Sequence, residues 1–111
     1  MTTATETRKG SKLLARARTN TLQVEEFVHR RDRGHSKICK LCGIEDEDLK
    51  HFLLRCPRLR SRRNRILMRK WYNVDKDQQL INILFNEKYF DKVRKMTRAM
   101  WNLRKDLLRS P

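Results

Sequence analysis

The sequence predicts a small, mainly α-helical domain of several helices, organised around one structural metal site. Two observations support this prediction. Apolar residues recur every three or four positions in several segments, which is the period of an amphipathic helix. In the middle of the chain, cysteine and histidine occur at the spacing C-x2-C-x8-H-x4-C, which suits four tetrahedral ligands. At 111 residues, a single domain is near the size at which an apolar core alone gives marginal stability.

The N-terminal segment, residues 11–37, is predicted to hold two short helices and a charged loop. Residues 1–10 are polar and are predicted to be disordered, without the apolar stretch of a secretory signal. The first helix, capped by its opening serine, has an inward face of Leu13, Leu14 and Ala17. The second is predicted to begin at Asn20 or Thr21, where a capping box fits. Its apolar side is formed by Leu22, Val24, Phe27 and Val28.

Zinc is the metal that the central motif favours. All three cysteines of the chain belong to it, and the predicted ligands are Cys39, Cys42, His51 and Cys56. Zinc binds thiolates and neutral imidazole at about 2.0–2.3 Å, and four protein ligands leave no position for a catalytic water. The site is therefore predicted to be structural. An odd number of cysteines also argues against a disulfide framework and for an intracellular setting, nuclear or cytoplasmic.

Segment 38–72 is predicted to be a zinc knuckle followed by a basic helix. Gly43 closes a turn in which positive φ lets backbone N–H groups point at the sulfurs. Pro57 pushes the residue before it out of the helical region and suits the first position of the next helix. His51 is therefore expected to project from one helix and Cys56 from the junction after it, so that both can reach one ion.

Other polar residues around the motif leave alternatives open. Glu47 belongs to an acidic stretch, residues 45–48, that suits the start of a helix. Lying four residues before His51, it either holds the second N–H of that imidazole or is solvated at the helix start. His35, four residues before the first cysteine, is a rival ligand, and His29 is interpreted as a surface residue.

Segment 73–111 is predicted to add two helices. A short one near Asp77 has an apolar side of Leu80, Ile81, Leu84 and Phe85. The last helix, about residues 87–109, has a seam with spacings of three and four, formed by Val93, Met96, Met100, Leu103 and Leu107. We interpret this seam as intramolecular core. The alternative is that residues 93–107 form a helix that binds a protein partner.

The chain carries a large positive charge, with 28 Lys and Arg against 13 Asp and Glu and a net charge of +15. Such a charge implies a polyanionic partner. No apolar run is long enough for a membrane span, and no membrane contact is expected. The charge is densest in the acid-free run formed by Arg55, Arg58, Arg60, Arg62, Arg63, Arg65, Arg69 and Lys70.

We expect this run to form one basic helix that contacts the phosphate backbone of RNA or DNA, without base specificity. The alternative is a solvated face that only keeps the protein in solution. Its inward residues are predicted to be Leu59, Ile66, Leu67 and Trp71. Trp71 and Tyr72, at its end, are interpreted either as core residues or as platforms for stacked bases.

Residues typical of catalysis are missing from the sequence. It contains no glycine-rich phosphate loop, no Ser/His/Asp grouping and no Y-x-D-D polymerase motif. We therefore expect that the chain is not an enzyme.

The segments 14–19 (LARART), 39–43 (CKLCG) and 47–57 (EDLKHFLLRCP) resemble the C-terminal region of non-LTR, LINE-type retrotransposon reverse transcriptases. The resemblance covers roughly residues 12–65. It implies a CCHC zinc finger that holds the element's RNA or target DNA during target-primed reverse transcription. Because the catalytic aspartates and any endonuclease are absent, polymerase activity is not expected to transfer.

By this resemblance the chain looks like a detached tail: a remnant reading frame, a truncated gene model or a repurposed fragment. The alternative function is a zinc-containing protein-interaction module that uses the C-terminal helix.

Overall fold

The computed structural model describes residues 12–109 and confirms the mainly helical fold. The α-helices are α1 (residues 12–18), α2 (Glu25–Arg31), α3 (Arg65–Lys70), α4 (Lys76–Phe85) and α5 (Phe90–Arg109). A π-helical turn spans His51–Arg55, and 3-10 helices span Pro57–Arg62 and Glu87–Tyr89. Across residues 12–109 the only β-structure is an isolated antiparallel bridge between Ile38 and Asp46. The predicted disorder of residues 1–10 and the serine cap lie outside the described residues.

The second helix begins later than predicted, because the left-handed conformation of Asn20 ends α1. Asn20 has a φ of 57°. Its N–H donates to the carbonyl of Ala17, and the N–H of Thr21 donates to the carbonyl of Arg16, which is the Schellman pattern of a helix C-terminus. Leu22 and Val24 are buried as predicted, but on the extended link that precedes α2.

The helix predicted to begin in the acidic stretch also starts later. Glu45 is in a bend, Asp46 forms the bridge, and helical structure begins only at residue 49. The backbone then widens into the π-turn, and Cys56 follows in an extended conformation, with φ −60° and ψ 118°. His51 therefore projects from a helix and Cys56 from the junction after it, as predicted, and Pro57 opens the next helix.

The basic run is two short helices, so the prediction of one continuous helix is wrong. Arg63 and Asn64 are extended, and the side chain of Asn64 accepts hydrogen bonds from the N–H groups of Ile66 and Leu67 at 3.0 and 3.2 Å. This break changes the helical register after it. Leu59, Leu67 and Trp71 are buried as predicted, but Ile66 is 71% exposed.

The C-terminal helices are confirmed with changes at α4. Asp75, not Asp77, caps α4. Leu84 is buried as predicted, and Ile83 is buried with it. Ile81 and Phe85 were predicted to face inward, but both are exposed. The seam of α5 is intramolecular core, because its first three members, Val93, Met96 and Met100, are buried.

The helix α5 is the centre of the packing. It lies against the 3-10 helix Pro57–Arg62 and against α4. Trp101 on α5 meets Phe52 of the π-turn edge to face, with ring centroids 5.5 Å apart. No helix of residues 12–109 has the length and apolar character needed to cross a membrane.

Candidate metal centre

The four predicted ligands converge on one point in the fold. One ligand atom from each of Cys39, Cys42, His51 and Cys56 lies within 4.8 Å of the others. Cys39 and Cys42 come from the knuckle, His51 from the π-turn, and Cys56 from the residue after it. The group can therefore hold a metal ion, as the spacing predicted.

Two distances within the group fit a tetrahedral ion. The sulfurs of Cys39 and Cys56 are 3.9 Å apart, and the sulfur of Cys42 lies 3.4 Å from Nε2 of His51. In a regular tetrahedron with metal–sulfur bonds of about 2.3 Å and metal–nitrogen bonds of about 2.0 Å, these separations are about 3.8 and 3.5 Å. The limit of 4.8 Å for the whole group is wider than these values.

In the knuckle turn, backbone N–H groups point at the sulfurs, as the glycine at position 43 led us to predict. Gly43 has a φ of 69°, and its N–H donates to the carbonyl of Cys39 at 2.8 Å. The N–H groups of Leu41 and Cys42 donate to the sulfur of Cys39, and those of Ile44 and Glu45 donate to the sulfur of Cys42. These dipoles favour the thiolate form that a metal ligand needs.

The three thiols differ in how easily they ionise. Burial raises the pKa of Cys39 to about 12, and it also raises the pKa of Cys56. Burial is the largest influence on Cys42 too, but the hydrogen bonds from Ile44 and Glu45 lower its pKa on balance. A bound cation would have to displace protons from the two buried thiols, so metal binding is coupled to proton release.

The residue that orients the imidazole is Glu45 and not Glu47. Oε2 of Glu45 lies 3.3 Å from Nδ1 of His51, and Arg55 donates to the same carboxylate at 2.7 Å. A carboxylate on the second nitrogen holds the ring with Nε2 directed at the metal. Glu45 lies in the turn before the helix, so helical spacing pointed to the wrong acid.

Glu47 belongs to a buried ionic cluster, and both predictions for it are wrong. Arg104 of α5 donates to its two oxygens at 2.9 and 2.7 Å, and to Glu25 at 3.2 Å. The backbone N–H of Glu25 donates to Glu47 at 2.9 Å. All three side chains are buried. Burial disfavours the charged guanidinium, but the hydrogen bonds and charge of Glu47 outweigh it and raise the pKa of Arg104.

The other two histidines lie outside the metal group. His35, the rival ligand, contacts the carboxylate of Glu25 through Nε2. His29 is half-buried, and its Nδ1 lies 2.6 Å from the carbonyl oxygen of His35. His29 is therefore not the plain surface residue that the sequence indicated.

Three cations of the basic run are engaged within the protein. Arg55 pairs with Glu45, and Arg58 donates to the carbonyl of Leu41 at 3.2 Å. The half-buried guanidinium of Arg63 donates to the carbonyls of Leu53 and Phe52 at 2.8 and 3.1 Å. Burial lowers the pKa of Arg63. Arg63 thus closes the end of the π-turn and is placed as a structural residue.

The remaining cations of the run point outward. The exposed members are Arg60, Arg62, Arg65, Arg69 and Lys70. None of the four arginines forms an ion pair within the described part of the chain, whereas Lys70 lies over the ring of Tyr89 at 5.0 Å. Trp71 is core and meets Tyr89 edge to face at 5.2 Å, whereas Tyr72 is 75% exposed.

Comparison with known proteins gives no match to a family model, a curated protein or a solved structure. The resemblance to the C-terminal region of non-LTR reverse transcriptases therefore stays a prediction from the residues themselves.

Proposed function

We propose that this chain is a zinc-stabilised module that binds the backbone of RNA or DNA through its exposed basic run, and that it acts by binding rather than by catalysis. The observation that carries the proposal is the position of Cys56. It is at once a predicted metal ligand and the N-cap of the 3-10 helix that bears Arg58, Arg60 and Arg62.

Zinc is the proposed metal because of the ligand set. Three thiolates and one imidazole favour zinc over magnesium or calcium, which prefer oxygen ligands. Four protein ligands at tetrahedral spacing leave no open position, which supports a structural role.

The metal would set the direction of the arginines. It would tie the knuckle to the junction at Cys56, where the first basic helix begins, and Arg63 would fix the far end of that helix to the π-turn. The exposed arginines between and beyond these two points would then have a defined orientation.

Charge supports a nucleic-acid partner. Four exposed arginines without an ion pair among residues 12–109 lie on two consecutive short helices of a chain with a net charge of +15. Guanidinium groups suit phosphate through paired hydrogen bonds. The exposed ring of Tyr72, next to this run, is free to stack on an unpaired base. The resemblance to retrotransposon proteins points to the same partner.

The alternative, a protein partner on residues 93–107, is less favoured. The seam residues Val93, Met96 and Met100 are already packed in the core. A partner helix would have to use the half-buried Leu103 and Leu107 alone.

Two measurements on the purified protein test the proposal. Metal analysis is expected to find one zinc per chain. A salt titration of binding to a labelled single-stranded RNA, and to the matching DNA, is expected to give a steep linear fall of log affinity with log salt. A chain that folds fully without metal, or that binds neither nucleic acid at low salt, would contradict the proposal.

A pair of variants isolates the arginines. Replacing Arg60, Arg62, Arg65 and Arg69 with Gln should reduce the salt slope by about 0.7 for each lost phosphate contact on a single strand. Arg63 is left intact because it is structural. The control replaces four exposed cations elsewhere, Arg33, Lys76, Lys92 and Arg109, and removes the same charge. Equal losses in the two variants would mean that only net charge matters.

A further inference from the structure

A second basic site lies between α1 and α5. A cleft of about 170 Å³ separates the two helices. Its walls carry four cationic side chains, Lys12, Arg16, Arg98 and Lys105. Trp101 and Asn102 also line it. None of these residues belongs to the Arg55–Lys70 run.

The α5 wall of the cleft follows from helical spacing. Arg98, Trp101, Asn102 and Lys105 are spaced i, i+3, i+4 and i+7, so they form one stripe along the helix. Lys12 and Arg16, at i and i+4 on α1, form the facing stripe. The core seam of α5 occupies a different side of the helix, and within the stripe Trp101 also packs against Phe52.

The cleft favours negative charge. Among the described residues, 12–109, no carboxylate lines it. Lys12, Arg16 and Lys105 are exposed, and within residues 12–109 none of them is ion-paired. By contrast, the groove of about 460 Å³ beside α4 is lined by Glu26, Asp46 and Asp48. Cations that converge without a carboxylate raise the local concentration of a polyanion.

The size of the cleft indicates what it can take. Pockets for small molecules usually measure about 300–1,000 Å³, so a volume near 170 Å³ is too small for an enclosed ligand. It suits a group that passes along an open groove, such as one phosphate of a nucleic-acid backbone.

Trp101 gives the cleft a surface for a sugar or base. Arg104 covers one side of its ring at 4.7 Å and Phe52 meets it at 5.5 Å. The indole is therefore held rigidly, and its half-exposed remainder borders the cleft. A rigid aromatic ring beside several cations is the usual arrangement of single-strand binding surfaces.

We propose that this cleft is a second contact for the nucleic-acid strand, in which Lys12, Arg16 and Lys105 bind backbone phosphate and Trp101 packs against the adjacent nucleoside. The proposal rests on the proposed function and extends it from one surface to two. A nucleic acid is favoured over an anionic membrane because the large exposed apolar side chains lie elsewhere.

A double variant tests the cleft directly. Arg16→Gln with Lys105→Gln should reduce the salt slope for a labelled 20-nucleotide single strand by about 1.4, at about 0.7 per phosphate contact. The control, Arg33→Gln with Lys76→Gln, removes the same charge outside both basic surfaces and should leave the slope nearly unchanged. Equal slopes in the two double variants would overturn the proposal.

Fluorescence gives a test that keeps all cleft residues. The chain has two tryptophans, so Trp71→Phe leaves Trp101 as the only emitter. The strand is expected to quench Trp101 and to protect it from acrylamide, with the same midpoint as binding followed by anisotropy. Saturated binding with unchanged Trp101 emission would overturn the cleft contact.

The outcomes separate this inference from the proposed function. If the wild type binds the strand and only the variant of Arg60, Arg62, Arg65 and Arg69 weakens, the proposed function stands and the cleft fails. If the wild type binds no nucleic acid, both fail. If the cleft variant loses binding to phosphatidylserine vesicles but not to the strand, the cleft is a membrane site and the inference is wrong.

Discussion

The metal region, residues 39–62, and the C-terminal helices α4 and α5 are organised by different forces. The metal region contains a knuckle turn, a π-turn and a 3-10 helix. The C-terminal region contains two regular α-helices whose buried residues follow the helical period. Convergence of ligands on one point requires irregular backbone, whereas apolar packing is satisfied by regular backbone. The difference teaches that the first region is arranged around the candidate metal group, whereas the second is arranged around its apolar core.

Besides the packing of α5 against the 3-10 helix Pro57–Arg62, the contacts that join these regions include an ionic one and an aromatic one. Arg104 of α5 is bonded to Glu47 of the metal region, whose Oε2 is 3.9 Å from the sulfur of Cys39. Phe52 of the π-turn meets Trp101 of α5. The joint is therefore partly ionic and partly aromatic, and each component can be removed separately.

Loss of the metal is expected to have the largest effect. Structural zinc contributes an apparent ~10–16 kcal/mol in finger peptides, which is comparable to the whole stability of a domain at ~5–15 kcal/mol. Chelation, or Cys42→Ser, should unfold residues 39–62 while α5 keeps measurable protection from amide hydrogen exchange. Circular dichroism should show a loss of helicity that returns when zinc is added after chelation.

Two results would count against this prediction. A Cys42→Ser variant that melts like the wild type would remove the ligand assignment. Uniform loss of exchange protection across α4 and α5 would show that the two regions fold as one unit.

The second largest effect is expected from the ionic joint. Arg104→Met keeps much of the side-chain volume but leaves Glu47 buried without its cation, whereas Glu25 keeps Lys40 at 3.7 Å. Breaking a buried pair costs about 3–5 kcal/mol, and urea unfolding of the metal-loaded protein should show that loss. The control is Arg94→Met on the same helix, whose partner Asp91 is exposed, and a surface pair is worth about 0–1 kcal/mol. Similar losses in both variants would contradict the buried joint.

Metal affinity is expected to rise with pH. The pKa of Cys39 is raised to about 12 and that of Cys56 is also raised, so both thiols hold protons near neutral pH and must lose them to the ion. Each released proton changes the binding free energy by about 1.4 kcal/mol per pH unit. Release of two protons therefore makes metal binding weaker by about 2.7 kcal/mol for each pH unit by which the pH falls. Competition with a chelator between pH 6 and 8 measures this slope, and a flat profile would contradict it.

A cavity in the apolar core beside α5 should destabilise the fold without lowering the zinc affinity of the metal site. Met100 is fully buried, and Met→Ala in a core costs about 2–5 kcal/mol. Leu108→Ala, on the same helix but 39% exposed, should cost less than about 1 kcal/mol. Chelator competition should give the same zinc affinity for both variants. A large loss of affinity in Met100→Ala would show that the core and the ion act together.

The residues that the sequence predicted best are those governed by a strict local rule. The ligands converge because C-x2-C with Gly43 fixes one half of the site, and Pro57 places the other half. The seam of α5 followed its period, and Val93, Met96 and Met100 are all buried.

The residues that sequence reasoning missed depend on contacts distant in the chain. Arg104 and Glu47 are 57 residues apart, and no local pattern pairs them. Glu45 reaches His51 from a bend, because residues 45–48 do not form the helix that the sequence predicted. The stripe of Trp101 and Lys105 was visible in the spacing, but its partner Arg16 on α1 was not.

The break in the basic run was also missed, and it supports the smallest predicted effect. Asn64 lies between two basic stretches. The first helix ends before Arg63, which is extended and bonded to the π-turn. The short side chain of Asn64 then caps α3. Asn64→Ala removes the acceptor for the N–H groups of Ile66 and Leu67 and should cost about 1 kcal/mol, within the range of about 0.5–2 kcal/mol for such caps. Asn73→Ala, at an exposed position outside the helices, is the control and should cost almost nothing.

Because the cap also fixes the angle between the two basic helices, Asn64→Ala should weaken nucleic-acid binding at an unchanged net charge, whereas Asn73→Ala should not. Equal affinity of these two variants would mean that the orientation of Arg65 and Arg69 has no effect on binding.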